Sequence, residues 1–257
     1  MKKSPIICVV FVTCLIACLT TSCSKKGSSN PAPTPEQDLT PDSLKPGLLA
    51  YYPFDNNGND VSGHGNNGTV YNETPTSDRH GKANGAYAFD GYTTFITVPG
   101  TPALTLNNTD FTISVWVKLY SYGTTTYMNV ITRRLKGINN RWGLGVTGVN
   151  STTPGLTFFS ISGTTSAYGN KVVDYYGWHM LTAVYNLSAQ QMSIYVDGQL
   201  DNTITGIPSP DPPATSNLFI GGDREDDSGS PFVGSIEEIR IYNRMLSANA
   251  IKSLYSF

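Results

Sequence analysis

Beyond residue 23 the chain has no cysteine. All four lie near the start, at Cys8, Cys14, Cys18 and Cys23, so no disulfide holds the main part of this 257-residue sequence together. Charge is scarce as well: Lys, Arg, Asp and Glu make up 14% of residues and leave a net charge of −2. That excludes the concentrated basic surface that nucleic-acid phosphates require. His64, His80 and His179 are the three histidines, and they form neither an HExxH motif nor a close metal triad. A Gly-x-Ser-x-Gly elbow is missing too, and no internal repeat is visible. What the sequence does hold is 25 Gly and 15 Tyr, a turn-rich, aromatic composition suited to an exported β-structure.

The first residues stand apart. "MKK" is a basic start and "PIICVVFVTCLIACL" a short apolar run, the layout of an export signal rather than a bilayer-spanning helix. With "LTTSCSKKGSS" behind it, this leader resembles that of a bacterial lipoprotein, in which a cysteine is acylated and becomes the new N-terminus. Cys23 is the acceptor that leaves the whole apolar run in the leader. Cys18, preceded by Leu15 and Ala17 in "LIAC", is the competing acceptor by pattern. Several acyl chains together anchor firmly where one alone does not, so residence on a membrane is expected; the outer membrane, on its periplasmic face or at the cell surface, is the expected location. Residues 1–22 then form the signal peptide, and residues 23–46, rich in Ser, Pro and charge, a flexible tether. Residues 47–257 form the folded domain, expected to be monomeric.

That domain reads as short strands between turns. "GLLAYYPF", "GAYAF" and "TTFITV" come first, the last two around a "DG" suited to a tight hairpin. "FTISVWVKLY" alternates strictly, with Phe111, Ile113, Val115, Val117 and Leu119 on one face and Thr112 and Trp116 on the other. "MNVITRR", "WGLGVTG", "GLTFFSI", "HMLTAVYN", "QMSIYVDG", "NLFIGG" and "GSIEEIRIYN" follow. One helix is expected, "SANAIKSLY" capped by Ser247 with Ile251, Leu254 and Tyr255 on one side, lying across an end of the fold. The pattern is all-β, a sandwich rather than alternating α/β units.

Taken in order, "LLAYYPFDNNGNDVSGHGNNGTVYN", "GKANGAYAFDG", "FTISVWVK", "WGLGV", "WHMLTAVYN", "LFIGG" and "GSIEEIRIYNRMLSANAIKSLY" resemble the laminin-G-like, concanavalin-A-like domains of bacterial surface proteins. The resemblance implies a jelly-roll sandwich of two antiparallel sheets with roughly a dozen strands. It also implies a structural calcium (Ca2+) at the sandwich edge, with Asp90 of "FDG", Asp60 of "NDVSGHG" and the acidic pair Glu237 and Glu238 in the ligand positions. The family generally has Asp-Asp or Asp-Glu where this chain has Glu-Glu. Trp142 and Trp178 match its structural tryptophans. Many members bind carbohydrate and others bind protein, so the fold narrows function less than it narrows architecture.

Three further readings come from the residues themselves. "DNNGNDVSGHGN" is not an EF-hand, because Asp60 stands where the loop needs Gly and Asn66 where it needs Glu. The loop at residues 221–232 gathers Asp223, Glu225, Asp226 and Asp227, which reads as a solvated acidic loop. Glu237 and Glu238, adjacent on a strand, are expected on opposite faces and so make no catalytic acid–nucleophile pair, whereas Glu238 and Arg240 share a face and suit an ion pair. No enzyme activity is expected. The aromatics offer the better lead, since a ring stacks on the apolar side of a sugar while nearby Asn and Asp read its hydroxyls. Tyr122, Tyr127 and Tyr168 are the candidate ligand contacts. A carbohydrate-binding envelope lipoprotein is the expected function, and a protein-binding adhesin or structural surface lipoprotein the competing one.

Overall fold

Fifteen strands, one α-helix and two short 3-10 helices (Asp42–Leu44 and Pro102–Thr105) make up the regular structure of the computed structural model, which describes residues 41–72, 74–135, 138–161, 165–222 and 230–257. In chain order the strands are β1 (Leu48–Tyr52), β2 (Thr69–Tyr71), β3 (Thr74–Thr76), β4 (Ala86–Asp90), β5 (Phe95–Val98), β6 (Phe111–Leu119), β7 (Tyr127–Leu135) and β8 (Ile138–Thr147). Then come β9 (Leu156–Ile161), β10 (Thr165–Val172), β11 (His179–Asn186), β12 (Gln191–Val196), β13 (Gln199–Thr205), β14 (Asn217–Ile220), β15 (Val233–Tyr242) and the helix α1 (Ala248–Ser256). They form two antiparallel sheets. The first runs β13-β12-β11-β6-β15-β4-β3, with β1 also paired to β15; the second runs β10-β9-β8-β7-β14-β5-β2. The proposed acceptor Cys23, most of the tether and the acidic residues Asp223 to Asp227 lie outside the described residues.

Period-two alternation builds the core between the sheets. Phe111, Ile113, Val115, Val117 and Leu119 of β6 all face inward, joined by Leu144 and Val146 of β8 and by Leu181, Ala183 and Tyr185 of β11. Trp142 is fully buried, its ring 6.2 Å from that of Phe159, and its indole N–H donates to Leu104 O at 3.3 Å.

The outer face of the first sheet is covered rather than open. Trp116, Met180, Val184, Tyr51 and Tyr242 form a second buried cluster there with Ile251 and Leu254 of α1. Ser247 caps that helix, its hydroxyl accepting from Ala250 N at 3.2 Å. Tyr255 stacks on Trp116, ring centres 5.3 Å apart. The helix therefore lies on a sheet face, where these five outward side chains need a cover, and not across an end. Leu44, expected in the tether, is also buried in this cluster, so the ordered packing reaches back before Leu48.

Two further expectations change. The "DG" after β4 does not close a hairpin, because β4 pairs within the first sheet and β5 within the second. It is a crossing between layers. Glu237 and Glu238 do not point to opposite faces either. A register irregularity between Glu237 and Arg240 interrupts β15, and Glu238 takes φ 55°, the extra-residue geometry of a bulge. It falls where β15 changes partner from β4 to β1.

Candidate functional site

Strands β7 to β10 alternate across the second sheet, and their outward residues make a trough. Met128, Trp142, Phe159 and Ala167 point into the core, so Tyr127, Asn129, Arg141, Phe158, Ser160, Ser166 and Tyr168 point out. These residues line two hollows that meet at Tyr127. A small one of about 70 Å³ lies over Asn129, Thr132, Arg141, Ser160 and Ser166. A wider one of about 610 Å³ lies over Tyr168, Asn150, Thr153, Asn170 and Asn202. Gly143 keeps the floor low: a Cβ there would stand 3.1 Å from Thr132 Oγ1, 3.3 Å from Asn129 Oδ1 and 3.4 Å from Ser160 Oγ. Three polar oxygens thus converge on a position with no side chain.

Tyr127 is held at the junction. Its ring meets Phe158 edge-on with centres 5.1 Å apart, and its hydroxyl shares a hydrogen bond with that of Tyr168 at 3.0 Å. The bond to Tyr168, with burial second, raises the Tyr127 phenol above its ordinary range, so it is neutral at physiological pH. Asn202 fixes the neighbouring strand by donating to Tyr168 O at 2.9 Å. Among the described residues, Arg141 is the one ionisable cation lining either hollow, and no carboxylate lines them. Neutral amides and hydroxyls beside partly exposed rings suit a ligand rich in hydroxyls with an apolar side.

The structure divides the three candidate tyrosines. Tyr127 and Tyr168 are together, but Tyr122 packs edge-on against Tyr175, ring centres 5.6 Å apart. Asn129, Ser160 and Ser166 were missed by sequence reasoning, since a single polar residue facing out of a strand carries no local mark.

The four carboxylates matched to calcium are spread over distinct jobs. Asp60 Oδ1 accepts from Tyr51 N and Ser62 N, each at 2.9 Å, and Oδ2 accepts from Asn66 N at 2.9 Å. Asp90 caps the crossing turn, accepting from the backbone of Tyr92, Thr93 and Thr94 and from both threonine hydroxyls. Burial pushes the Asp90 carboxyl up, but these bonds outweigh it and hold it well below the usual range. Glu237 is fully buried and takes Arg79 Nη1 at 2.5 Å and Arg79 N at 3.1 Å. Glu238 accepts from the Tyr51 hydroxyl at 2.8 Å and is ion-paired with Arg240. The bulge brings both glutamates to one cavity of about 200 Å³ with Tyr51, Arg79 and Arg240. No group of three or more acidic, histidine or cysteine side chains able to hold a metal occurs among the described residues. As placed, the four carboxylates do not fit a calcium cage, because protein donors already hold each of them.

The histidines are separate. His64 lies beside Ser62, with Nδ1 3.1 Å from the hydroxyl, and His80 Nε2 is 3.1 Å from Phe257 O. His179 bridges Asp197 and Asp174, at 3.0 and 3.3 Å. The bond to Asp197 leads in raising its pKa, ahead of the opposing effect of burial.

No curated protein sequence matches the chain. Among solved structures it is similar to domain 4 of AbnA, a GH43 extracellular arabinanase from Geobacillus stearothermophilus, in complex with arabinotriose. That pair is 21% identical with a TM-score of 0.62, over 81% of this chain and 98% of that one. The binding domain of Paraclostridial Mosquitocidal Protein 1 is 15% identical, TM-score 0.63, over 82% of this chain and 52% of that chain. The binding domain of botulinum neurotoxin DC, in complex with rat synaptotagmin II, is 14% identical, TM-score 0.57, over 82% and 51%. The chain therefore spans about half the length of those toxin domains. Identities this low show a shared fold. The sequence itself carries the assignment further: residues 89–252 match the concanavalin A-like lectin/glucanases superfamily, and the chain belongs to that family.

Proposed function

We propose that the domain is a non-catalytic glycan-binding module of a cell-envelope lipoprotein. The observation that carries this reading is the Tyr127–Tyr168 pair, joined by its hydroxyls at 3.0 Å where two amide- and hydroxyl-lined hollows meet. Rings fixed in this way lose little freedom when a sugar stacks on them, and the surrounding Asn, Ser and Thr groups match its hydroxyls without charge. The covered outer face of the first sheet favours the second as the working face. Family membership and the arabinotriose complex of a structural neighbour agree with it. Catalysis is not part of the proposal, since Glu237 and Glu238 are each paired with an arginine of their own. Acylation at Cys23, with residues 23–46 as a tether, would hold the module at the outer membrane.

A glycan array probed with the purified chain tests the reading, followed by calorimetry of any sugar retained. Tyr127→Ala and Tyr168→Ala should each weaken binding about tenfold, as loss of one stacked ring with its hydroxyl bond implies. An array that stays blank at millimolar sugar, or tyrosine variants that bind as well as the parent, would remove the trough as the site.

A further inference from the structure

A second aromatic group stands beyond the trough. Tyr122 comes from the loop between β6 and β7, and Tyr175 and Tyr176 from the loop between β10 and β11. Tyr122 is half-buried on Gly155, where a Cβ would lie 2.9 Å from both the Tyr122 ring and Val172 Cγ1. Tyr175 meets Tyr122 edge-on, and Tyr176 lies 4.9 Å from Tyr175, ring centre to ring centre. Their residues are 46% and 81% exposed, so broad ring surface faces water. The loop beneath them is tied down. Val173 N donates to Gly155 O at 2.8 Å, Tyr176 N donates to Asp174 Oδ1 at 2.8 Å, and Asp174 meets His179. Exposed rings on a braced loop are presented to a partner with part of the ordering cost already met.

Two features on the chain connect this platform to the trough. The loop between β8 and β9 carries Gly155 under Tyr122, and its Asn150 and Thr153 line the wide hollow. Strand β10 runs from Tyr168 in the hollow to Val172 at the platform, paired there with Leu156. Three rings of about 200 Å² each, already partly covered, fall short of the about 800 Å² per partner that a stable protein interface buries. They suit the stacking of single sugar units. We infer that Tyr122, Tyr175 and Tyr176 form a second stacking site on which a glycan chain continues from the trough, so that the ligand is an extended polysaccharide rather than a terminal sugar. This inference rests on the glycan-binding reading above.

The test is calorimetry of the full chain with cello-, xylo- and arabino-oligosaccharides of two to eight units. Wild-type affinity should rise with length. Tyr175→Ala/Tyr176→Ala should match wild type on the shortest sugars it binds and lose about tenfold on the longest, the worth of two stacked rings. Tyr175→Phe/Tyr176→Phe should keep the gain, because the ring and not the hydroxyl carries it. Tyr127→Ala should weaken every length. If the double alanine variant follows wild type at all lengths, the second site is wrong while the trough stands. If neither these ladders nor any sugar of the glycan array binds, this inference and the trough reading fall together.

Discussion

Burial of Glu237 should make the fold less stable as the medium becomes alkaline. Its side chain has no exposure. Burial raises its carboxyl, the Arg79 bonds and charge pull it back, and Asp78 adds to the rise, leaving it at about 7 against an ordinary 4.5. The folded state therefore holds a proton that the unfolded chain has lost. The stability this provides is complete below about pH 4.5 and disappears as pH rises through about 7. Two and a half units at about 1.4 kcal/mol each give about 3 kcal/mol. At about 2–4 °C per kcal/mol for a domain of this size, the melting temperature should fall by about 6–12 °C between pH 4.5 and pH 8. His179 acts with the same sign, since its folded pKa is also raised. Asp90, Asp174 and Asp197 have lowered values, so their contributions are lost on the acid side, below this window. Calorimetric melts at several pH values, for wild type and Glu237→Gln, separate the parts. Glutamine still offers Arg79 an acceptor but cannot ionise, so the slope should shrink to the His179 remainder. An unchanged slope in the variant, or a flat wild-type profile, would refute the argument.

Other outcomes follow from single contacts. Trp142→Ala opens the core beside Phe159 and should cost about 3–5 kcal/mol in a guanidinium titration; a loss below about 1 kcal/mol would mean that the sheets close over the gap. Protein donors already hold Asp60, Asp90, Glu237 and Glu238, so thermal melts in calcium and in chelator should coincide. A difference of several degrees would reveal a native-state site assembled from loop oxygens. Cys23→Ala should release the protein from the membrane fraction and abolish lipid labelling; labelling that survives this change and is lost in Cys18→Ala would move the acceptor to Cys18.

Much of the architecture could be read along the chain because two sheets with one dry interface impose a strict period. Strand β6 shows it over nine residues, and Ser247 marks the start of α1. The strands that were missed are those without that period. β2 is three residues long, β3 is the edge triplet Thr-Pro-Thr, and β10 is mostly small and polar. Edge strands are placed by their neighbours and need little pattern of their own. The turn after β4 misled for a related reason. Asp90 and Gly91 dictate a sharp reversal of the chain, and nothing local says whether the next strand joins the same sheet or crosses to the other.

The trough is harder to read because its rows run across strands. Ser166 neighbours Ser160, Ser160 neighbours Gly143, and Gly143 neighbours Thr132. Period two tells which residues face outward, but the registers that line them up are set by three separate pairings. Tyr127 and Tyr168 were singled out as aromatics near loops, without any sign that their hydroxyls meet. Glu237 and Glu238 show the opposite failure: alternation assigned them to opposite faces, and one bulge brought them to the same cavity. The bulge has a tertiary cause. At that point β15 gives up β4 on one side and takes β1, and residues between two partners are free to leave the ladder. Glu238 accepts φ 55° there because its carboxylate gains Arg240 and the Tyr51 hydroxyl in return. Strain at a non-glycine residue persists where its surroundings over-determine it; here Arg240 comes from β15 itself and Tyr51 from β1, 187 residues away in sequence.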